Sequence, residues 1–335
     1  MSVRFWAILL FGISLAQGCS SPSKTGYASK QGSVMGTYYV LTARCIDAAE
    51  IRLDSAARAL TRVDAEMTTW NPDSMLMRLN RLPPGETMTV SQEMWQVLDV
   101  SEQVRKESGG AFNVSVGALV NAWGFGSVKT DKKPTPEEIS ALLPTSDGGY
   151  GLSVPELVSR SRGDVFIDLS AVAKGHAVDA ALEVLRDGGC PDAMVDVGGE
   201  VRAIGNGPAR DGWRIGIESP SPIHGGIEAV LPLRNRAVAT SGDYRNFRTV
   251  DGERISHTID PRDGYPIRHG LASITVVHET TALADAWATA LNVLGPNEGL
   301  ELAHRLNLPV YMLVRSSDGF DAVYTDAMKS LMDLP

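Results

Sequence analysis

Two periods run through the apolar positions of this chain, and each marks a different kind of element. Residues 34–43 alternate at period two and are rich in Tyr, Val and Thr, which predicts a first strand. Leu53, Ala57, Leu60, Val63 and Met67 recur at helical spacing, so residues 48–67 read as an amphipathic helix. Trp95, Leu98 and Val104 predict another helix that begins near Ser91. Thr135-Pro136-Glu137-Glu138 combines a cap residue, a proline at the first helical position and a glutamate three residues on, the signal of a short helix. Residues 164–169 read as a strand, and residues 177–187 as a helix stopped by Gly188-Gly189. Strands follow at 193–197, 213–218, 227–231 and 273–278, and a helix at 281–294 that Gly295-Pro296 ends. Strands and helices are interspersed without strict alternation and without an internal repeat. The expected fold class is therefore α+β, with mixed sheets packed against helices.

The N-terminus breaks this pattern. Arg4 precedes an apolar stretch at 5–15 that is too short to span a bilayer, and Ala16-Gln17-Gly18 offers small residues before a cleavage point. Residues 1–18 thus read as a signal peptide. Leu15-Ala16-Gln17-Gly18-Cys19 resembles a bacterial lipobox, in which the cysteine thiol is acylated, with palmitate or a related chain, and becomes the new N-terminus. Gln17 stands where a smaller residue is commoner, and an ordinary secretory signal with an incidental Cys19 is the alternative. Acyl chains contribute about 0.8 kcal/mol per buried CH2, so several of them hold a domain to a membrane. Residues 19–30 then form the lipidated cysteine and a flexible tether, and residues 31–335 the single functional domain. The expected location is the periplasmic face of a bacterial membrane, where Cys45 and Cys190 are free to pair but need not.

Composition narrows the chemistry. The 335 residues carry a formal net charge of −9, which argues against a nucleic-acid partner, since phosphate binding needs a basic footprint. Three cysteines are too few for a disulfide scaffold or a Cys-rich zinc site. GxxxxGK[ST], GxGxxG after a strand, HExxH and CxxC are all absent, so any nucleotide site is built differently.

Four segments carry candidate chemistry. Residues 168–175, Asp-Leu-Ser-Ala-Val-Ala-Lys-Gly, join a strand to a helix: N–H groups at a helix start attract phosphate, Lys174 adds charge, and Asp168 can accept hydrogen bonds from a ring or sugar. A plain turn with a capping Asp fits the same residues. Asp196-Val197-Gly198-Gly199-Glu200 permits close approach of a ligand or of a second backbone, or makes a tight turn. His257 precedes a turn built from Asp260-Pro261 and Asp263-Gly264, and a lone His there is structural or catalytic. Asp285 and Thr289 share a helix face and are hard oxygen donors suited to Mg2+, although this spacing also arises by chance.

Taken in order, these segments resemble the ApbE family of flavin transferases, whose motifs run D-L-[SG]-x-[VI]-x-K-G, [DV]-x-G-G-[NE], S-G-x-Y, H-x-I-D-P-x-x-G and A-D-A-x-[AS]-T-A. Here they stand at 168–175, 196–200, Ser241-Gly242-Asp243-Tyr244, 257–264 and 284–290, and the likeness spans roughly 31–330. The resemblance implies a T-fold-related single body. It also implies FAD:protein FMN transfer with Mg2+ as cofactor and FAD as substrate. FMN would go by a phosphoester to a Thr or Ser hydroxyl, with release of AMP. The implied acceptors are flavoprotein subunits of membrane redox complexes, of the sodium-pumping NADH:quinone reductase type and its relatives. Carried over residue by residue, the flavin contacts are Met35, Trp70 (where Tyr is frequent), Ala111, Phe112, Asn113 (where Asp is frequent), Asp168, Lys174, Ile259 and Ala288 (where some members have Asp). The implied metal ligands are the Ala171 carbonyl and the side chains of Asp285 and Thr289. His257 is the candidate base that takes the proton of the acceptor hydroxyl. Two rival activities use the same site: an FAD pyrophosphatase with water as acceptor, and a non-enzymatic periplasmic flavin-binding lipoprotein.

Overall fold

The computed structural model describes residues 26–221, 226–242, 247–250 and 252–332. In chain order the elements are β1 (Ala28–Val34), β2 (Thr37–Arg44), α1 (Ala49–Met67), α2 (Met75–Asn80), β3 (Thr87–Thr89), α3 (Gln92–Glu107), α4 (Gly117–Ala122) and α5 (Pro136–Leu142). Then come β4 (Tyr150–Val154), β5 (Leu157–Arg160), α6 (Ala173–Asp187), β6 (Asp192–Val197), β7 (Glu200–Ile204), β8 (Trp213–Glu218), β9 (Ile227–Leu233) and β10 (Arg236–Gly242). The last are β11 (Phe247–Val250), β12 (Glu253–Ser256), β13 (Leu271–His278), α7 (Thr281–Arg305), β14 (Val310–Ser316), β15 (Gly319–Tyr324) and α8 (Asp326–Met332).

One antiparallel eight-stranded sheet organises the molecule, in the order β1-β2-β6-β7-β10-β13-β14-β15. Its two faces are both covered, and the alternation of side chains sorts them. Val195, Ala239, Val276 and Met312 face α1, α6 and α7 in the larger core. Val201, Val238, Val277 and Leu313 face the β8–β9 hairpin and α8 in a second core with Trp213 and Met328. Burial on both faces explains why β13 reads as a nearly unbroken apolar run. Fully burying a Leu or Val side chain contributes about 1.5–3 kcal/mol, so these layers dominate the stability. A third, smaller cluster around Leu119, Trp123, Ile139, Ile255 and Ile259 supports the loop that carries His257. The fold is the expected α+β class.

Several elements differ from expectation. The strand predicted at 34–43 is a hairpin, with β1 and β2 joined at Met35 and Gly36, both at positive φ (51° and 73°). Its first strand starts at Ala28, so the last residues of the segment read as a tether belong to the sheet. Residues 164–169 are not a strand. Their backbone is taken elsewhere: Asn80 exchanges both amide bonds with Ile167, at 2.9 and 2.7 Å. The buried Arg160 guanidinium donates to the carbonyls of Gly163 and Val165 at 2.9 and 2.7 Å. A single parallel bridge, Val116 to Phe166, remains. Helix α6 opens four residues earlier than predicted. Helix α7 breaks at Gly295 (φ 76°, ψ −174°) where the stop was expected, then resumes from Pro296 to Arg305. The signal peptide and Cys19 lie outside the described residues. The two remaining cysteines, Cys45 and Cys190, form a disulfide that ties the end of β2 to the loop before β6.

Candidate active site

The contact between α6 and α7 sets the site. Gly175 allows it: a Cβ there would lie 2.4 Å from the Thr281 carbonyl oxygen, so any larger residue forces the helices apart. Asp179, one turn along α6, accepts the Thr281 and Ala282 backbone N–H groups and the Thr281 hydroxyl at 2.8–2.9 Å, which caps α7 from a neighbouring helix. Arg202 answers its charge at 3.0 Å. With α7 fixed in this way, Asp285 Oδ2 accepts the Gly175 N–H at 3.0 Å, and Thr289 follows one turn later with its hydroxyl 3.5 Å from Ser241 Oγ.

Asp285, Thr289 and Ser241 lie on the floor of a cavity of about 1010 Å3. On it, Lys174 Nζ lies 2.5 Å from Glu200 Oε1, at the start of β7. Burial pushes the Glu200 carboxyl up to about 7, against the pull of Lys174 and with the Asp285 charge adding to the rise. Burial likewise raises Asp285, while Lys174 and the Gly175 N–H work to keep it ionised. Burial disfavours the Lys174 charge, yet the two carboxylates outweigh it and raise its pKa above the ordinary lysine value.

The walls come from three further segments. Asp168 Oδ1 accepts the Ser170 N–H at 2.9 Å, so it makes the turn ahead of α6 and lines the cavity as well, which joins the two alternatives left by the sequence. His257 faces the cavity with its ring edge-on to Phe125, 6.4 Å between centroids. Its loop is held by the predicted Asp-Pro-x-Asp-Gly turn: Gly264 (φ 80°) donates to the Asp260 carbonyl at 2.8 Å, and the Trp123 indole donates to the Gly264 carbonyl at 2.9 Å. Trp70, 62% exposed, stands at the rim with Lys129 Nζ 4.8 Å above its ring.

Of the residues predicted for the site, Trp70, Asp168, Ala171, Lys174, His257, Ile259, Asp285 and Thr289 line this one cavity. Met35, Ala111, Phe112, Asn113 and Ala288 are not in its lining. Met35 sits in the β1–β2 turn and donates its N–H to Asp64 Oδ2 at 3.2 Å. Ala111 and Phe112 are buried in the core, and Asn113 donates its amide N–H to the Ser146 carbonyl while accepting from the Ser115 N–H. Ala288 is fully buried on the packed side of α7. Asp243 and Tyr244 lie outside the described residues. The sequence offers Glu200 only as the end of the Asp196–Glu200 segment, with no role in the site, and gives no sign of Phe125, Lys129 or Arg248. A glutamate directly after two glycines was the one local signal among them.

The sequence model of the ApbE family matches residues 35–312. This chain belongs to that family. It is 36% identical over 336 residues to the FAD:protein FMN transferase of Haemophilus influenzae, covering 96% of this chain and 95% of the relative. The FAD:protein FMN transferase of Vibrio cholerae is 34% identical, over 98% of this chain and 99% of its own. Among solved structures, the flavin transferase ApbE from Vibrio cholerae superposes with a TM-score of 0.83 at 33% identity, over 91% of this chain and 99% of that one. The apo form of the Pseudomonas stutzeri flavinyl transferase ApbE gives 0.84 at 32% identity, over 92% and 98%. The family's antiparallel sheet and helices are those described here.

Proposed function

We propose that this protein is a Mg2+-dependent FAD:protein FMN transferase that attaches FMN to a Thr or Ser hydroxyl of an acceptor protein and releases AMP. The observation that carries the reading is the meeting, on one cavity, of a lysine, a carboxylate with a hydroxyl one helical turn on, and a histidine, in a chain whose relatives are FAD:protein FMN transferases. The cavity has the volume of a site for a large ligand.

The donor set suits a hard cation. Among the described residues no three His, Cys, Asp or Glu side chains cluster so as to hold a metal by themselves. Asp285, Thr289 and the Ala171 carbonyl offer one charged and two neutral oxygens, and Mg2+ typically takes one or two carboxylates and fills its other positions with water and substrate phosphates. A Mg2+ ion held by these oxygens would neutralise charge on the pyrophosphate and on the departing AMP. Lys174 adds a fixed positive charge on the same floor. His257 receives the proton of the acceptor hydroxyl as its oxygen bonds to the FMN phosphorus and the pyrophosphate P–O bond breaks. Phe125 packs against that imidazole and limits its orientations. Trp70 offers a face on which a ring of FAD can stack.

We further propose a lipid-anchored location on the periplasmic face, supported by the lipobox-like Cys19 and by the Cys45–Cys190 disulfide, which persists in oxidising compartments. Acceptors would then be extracytoplasmic flavoprotein subunits of membrane redox complexes. The test is incubation of the purified protein with FAD, Mg2+ and such a subunit. An acid-stable FMN adduct on the subunit, with AMP in equal amount, supports transfer. AMP and free FMN without an adduct mean hydrolysis, and intact FAD means a binding protein.

A further inference from the structure

Resting on the metal site proposed above, we infer that Glu200 is a positioning residue: it takes up the charge of Lys174 and thereby leaves the Asp285 carboxylate free for a divalent cation. The β6–β7 turn fixes where Glu200 stands. Gly198 and Gly199 occupy it at φ 65° and 105°, Asp196 Oδ1 accepts the Gly199 N–H at 2.9 Å, and Glu200 pairs directly with Val197 across the hairpin. The turn needs no ligand to hold that shape. The Glu200 side chain, 4% exposed, meets Lys174 at 2.5 Å through Oε1, while Oε2 is buried with no hydrogen-bond partner. Asp285, whose Oδ2 takes the Gly175 N–H at 3.0 Å, lines the same cavity as Lys174 and acts on its charge. Two carboxylates thus stand near one partly buried ammonium, and the ion pair goes to Glu200.

The consequence is a matter of competition. Beside buried carboxylates a partly buried ammonium is held more strongly than at the surface, and a cation arriving at Asp285 would have to displace it. With Glu200 as the counter-ion, the lysine is already paired and Asp285 keeps its charge for the incoming ion. Removing the Glu200 charge hands Lys174 to Asp285 and blocks the site. A second possible role gives a different outcome: if Glu200 attracts or binds the cation directly, its removal weakens binding whether or not Lys174 is present.

Mn2+ titration of the full-length protein followed by electron paramagnetic resonance separates these cases. No nucleotide is added, so the loss of a lysine that faces the pyrophosphate does not enter the measurement. Thermal melts establish that each variant is folded. We expect Glu200→Gln to bind Mn2+ about tenfold more weakly than wild type. The double variant Lys174→Met/Glu200→Gln, which replaces one neutral pair with another and carries the test if the single variant does not fold, should return to within about threefold of wild type. Equal binding by wild type and Glu200→Gln overturns the inference. So does a double variant that binds as weakly as Glu200→Gln, or, if that single variant does not fold, as weakly as Asp285→Asn. A wild-type protein that holds no Mn2+, or an Asp285→Asn variant that holds it as well as wild type, removes the metal site itself and the inference with it.

Discussion

On the floor of the cavity, the buried Glu200 and Asp285 and the partly buried Lys174 answer one another's charges, and the two helices beneath them touch through a glycine. At the rim, Trp70 and Phe247 stand 62% and 46% exposed, with Lys129 and Arg254 over their rings at 4.8 and 4.2 Å. The floor is set before any ligand arrives, because its charges, caps and backbone contacts hold one another in place. The rim is built of exposed aromatic faces and long cationic side chains, which can move to suit what enters. A transferase that must hold one fixed donor and admit a protein acceptor needs both kinds of surface. Substitutions on the floor should therefore cost far more than substitutions at the rim.

The widest separation is expected from His257→Ala. Loss of the proton acceptor proposed for the reacting hydroxyl should lower FMN transfer by about 10²–10⁴-fold. FAD binding, followed by quenching of flavin fluorescence, stays within a few fold of wild type. Transfer within a few fold of wild type would remove His257 from the reaction.

Next comes the helix contact below the floor. Gly175→Ala puts a methyl group where the Thr281 carbonyl stands, and should cost about 1–3 kcal/mol in chemical denaturation, with activity falling alongside as Asp285 shifts. Ala173→Gly, two residues earlier, removes a methyl group without a clash and should leave the floor geometry in place, so it serves as the contrast.

The pH dependence of stability is a subtler consequence of burial. Burial holds the His176 imidazole, whose Nε2 has no hydrogen-bond partner, below the ordinary histidine pKa. Below about pH 6.5 the unfolded chain takes up a proton that the folded chain refuses, so this residue costs stability as pH falls through that value. His176→Gln should flatten the acid side of a denaturation midpoint against pH. An unchanged slope would show that other groups set it.

Trp70→Ala should do least. An exposed aromatic contact contributes about 0.5–1 kcal/mol, so FAD affinity should fall by less than about tenfold while the rate at saturating FAD holds.

What could be read from the sequence follows the same division. Elements with local signals were legible: α1 from its apolar spacing, and α5 from the Thr135–Glu138 capping box, both of whose hydrogen bonds form. Strand β1 was missed because it is an edge strand whose Ser, Lys, Gln and Gly residues bury little. The segment at 164–169 has a strand's composition, but Arg160 and Asn80 claim its backbone, and no local pattern announces that. In the site, Asp168, Lys174, Asp285 and Thr289 stood out through motifs. The pairing of Lys174 with Glu200 could not, because only the sheet brings β7 beside α6. Met35, Ala111, Phe112, Asn113 and Ala288 are implied by resemblance alone, and none of them lines the cavity.

In the proposed reaction Asp285, with Thr289 beside it, holds the cation on which transfer depends. The most direct test is FMN incorporation into an acceptor subunit measured against Mg2+ concentration for wild type, Thr289→Val and Asp285→Asn. The account predicts that Asp285→Asn folds and retains FAD yet loses transfer by about 10³-fold, with no recovery at high Mg2+, because the one charged ligand is gone. Thr289→Val should need only more Mg2+, since water can replace a neutral ligand. Wild-type transfer by Asp285→Asn at the same Mg2+ concentration would contradict it.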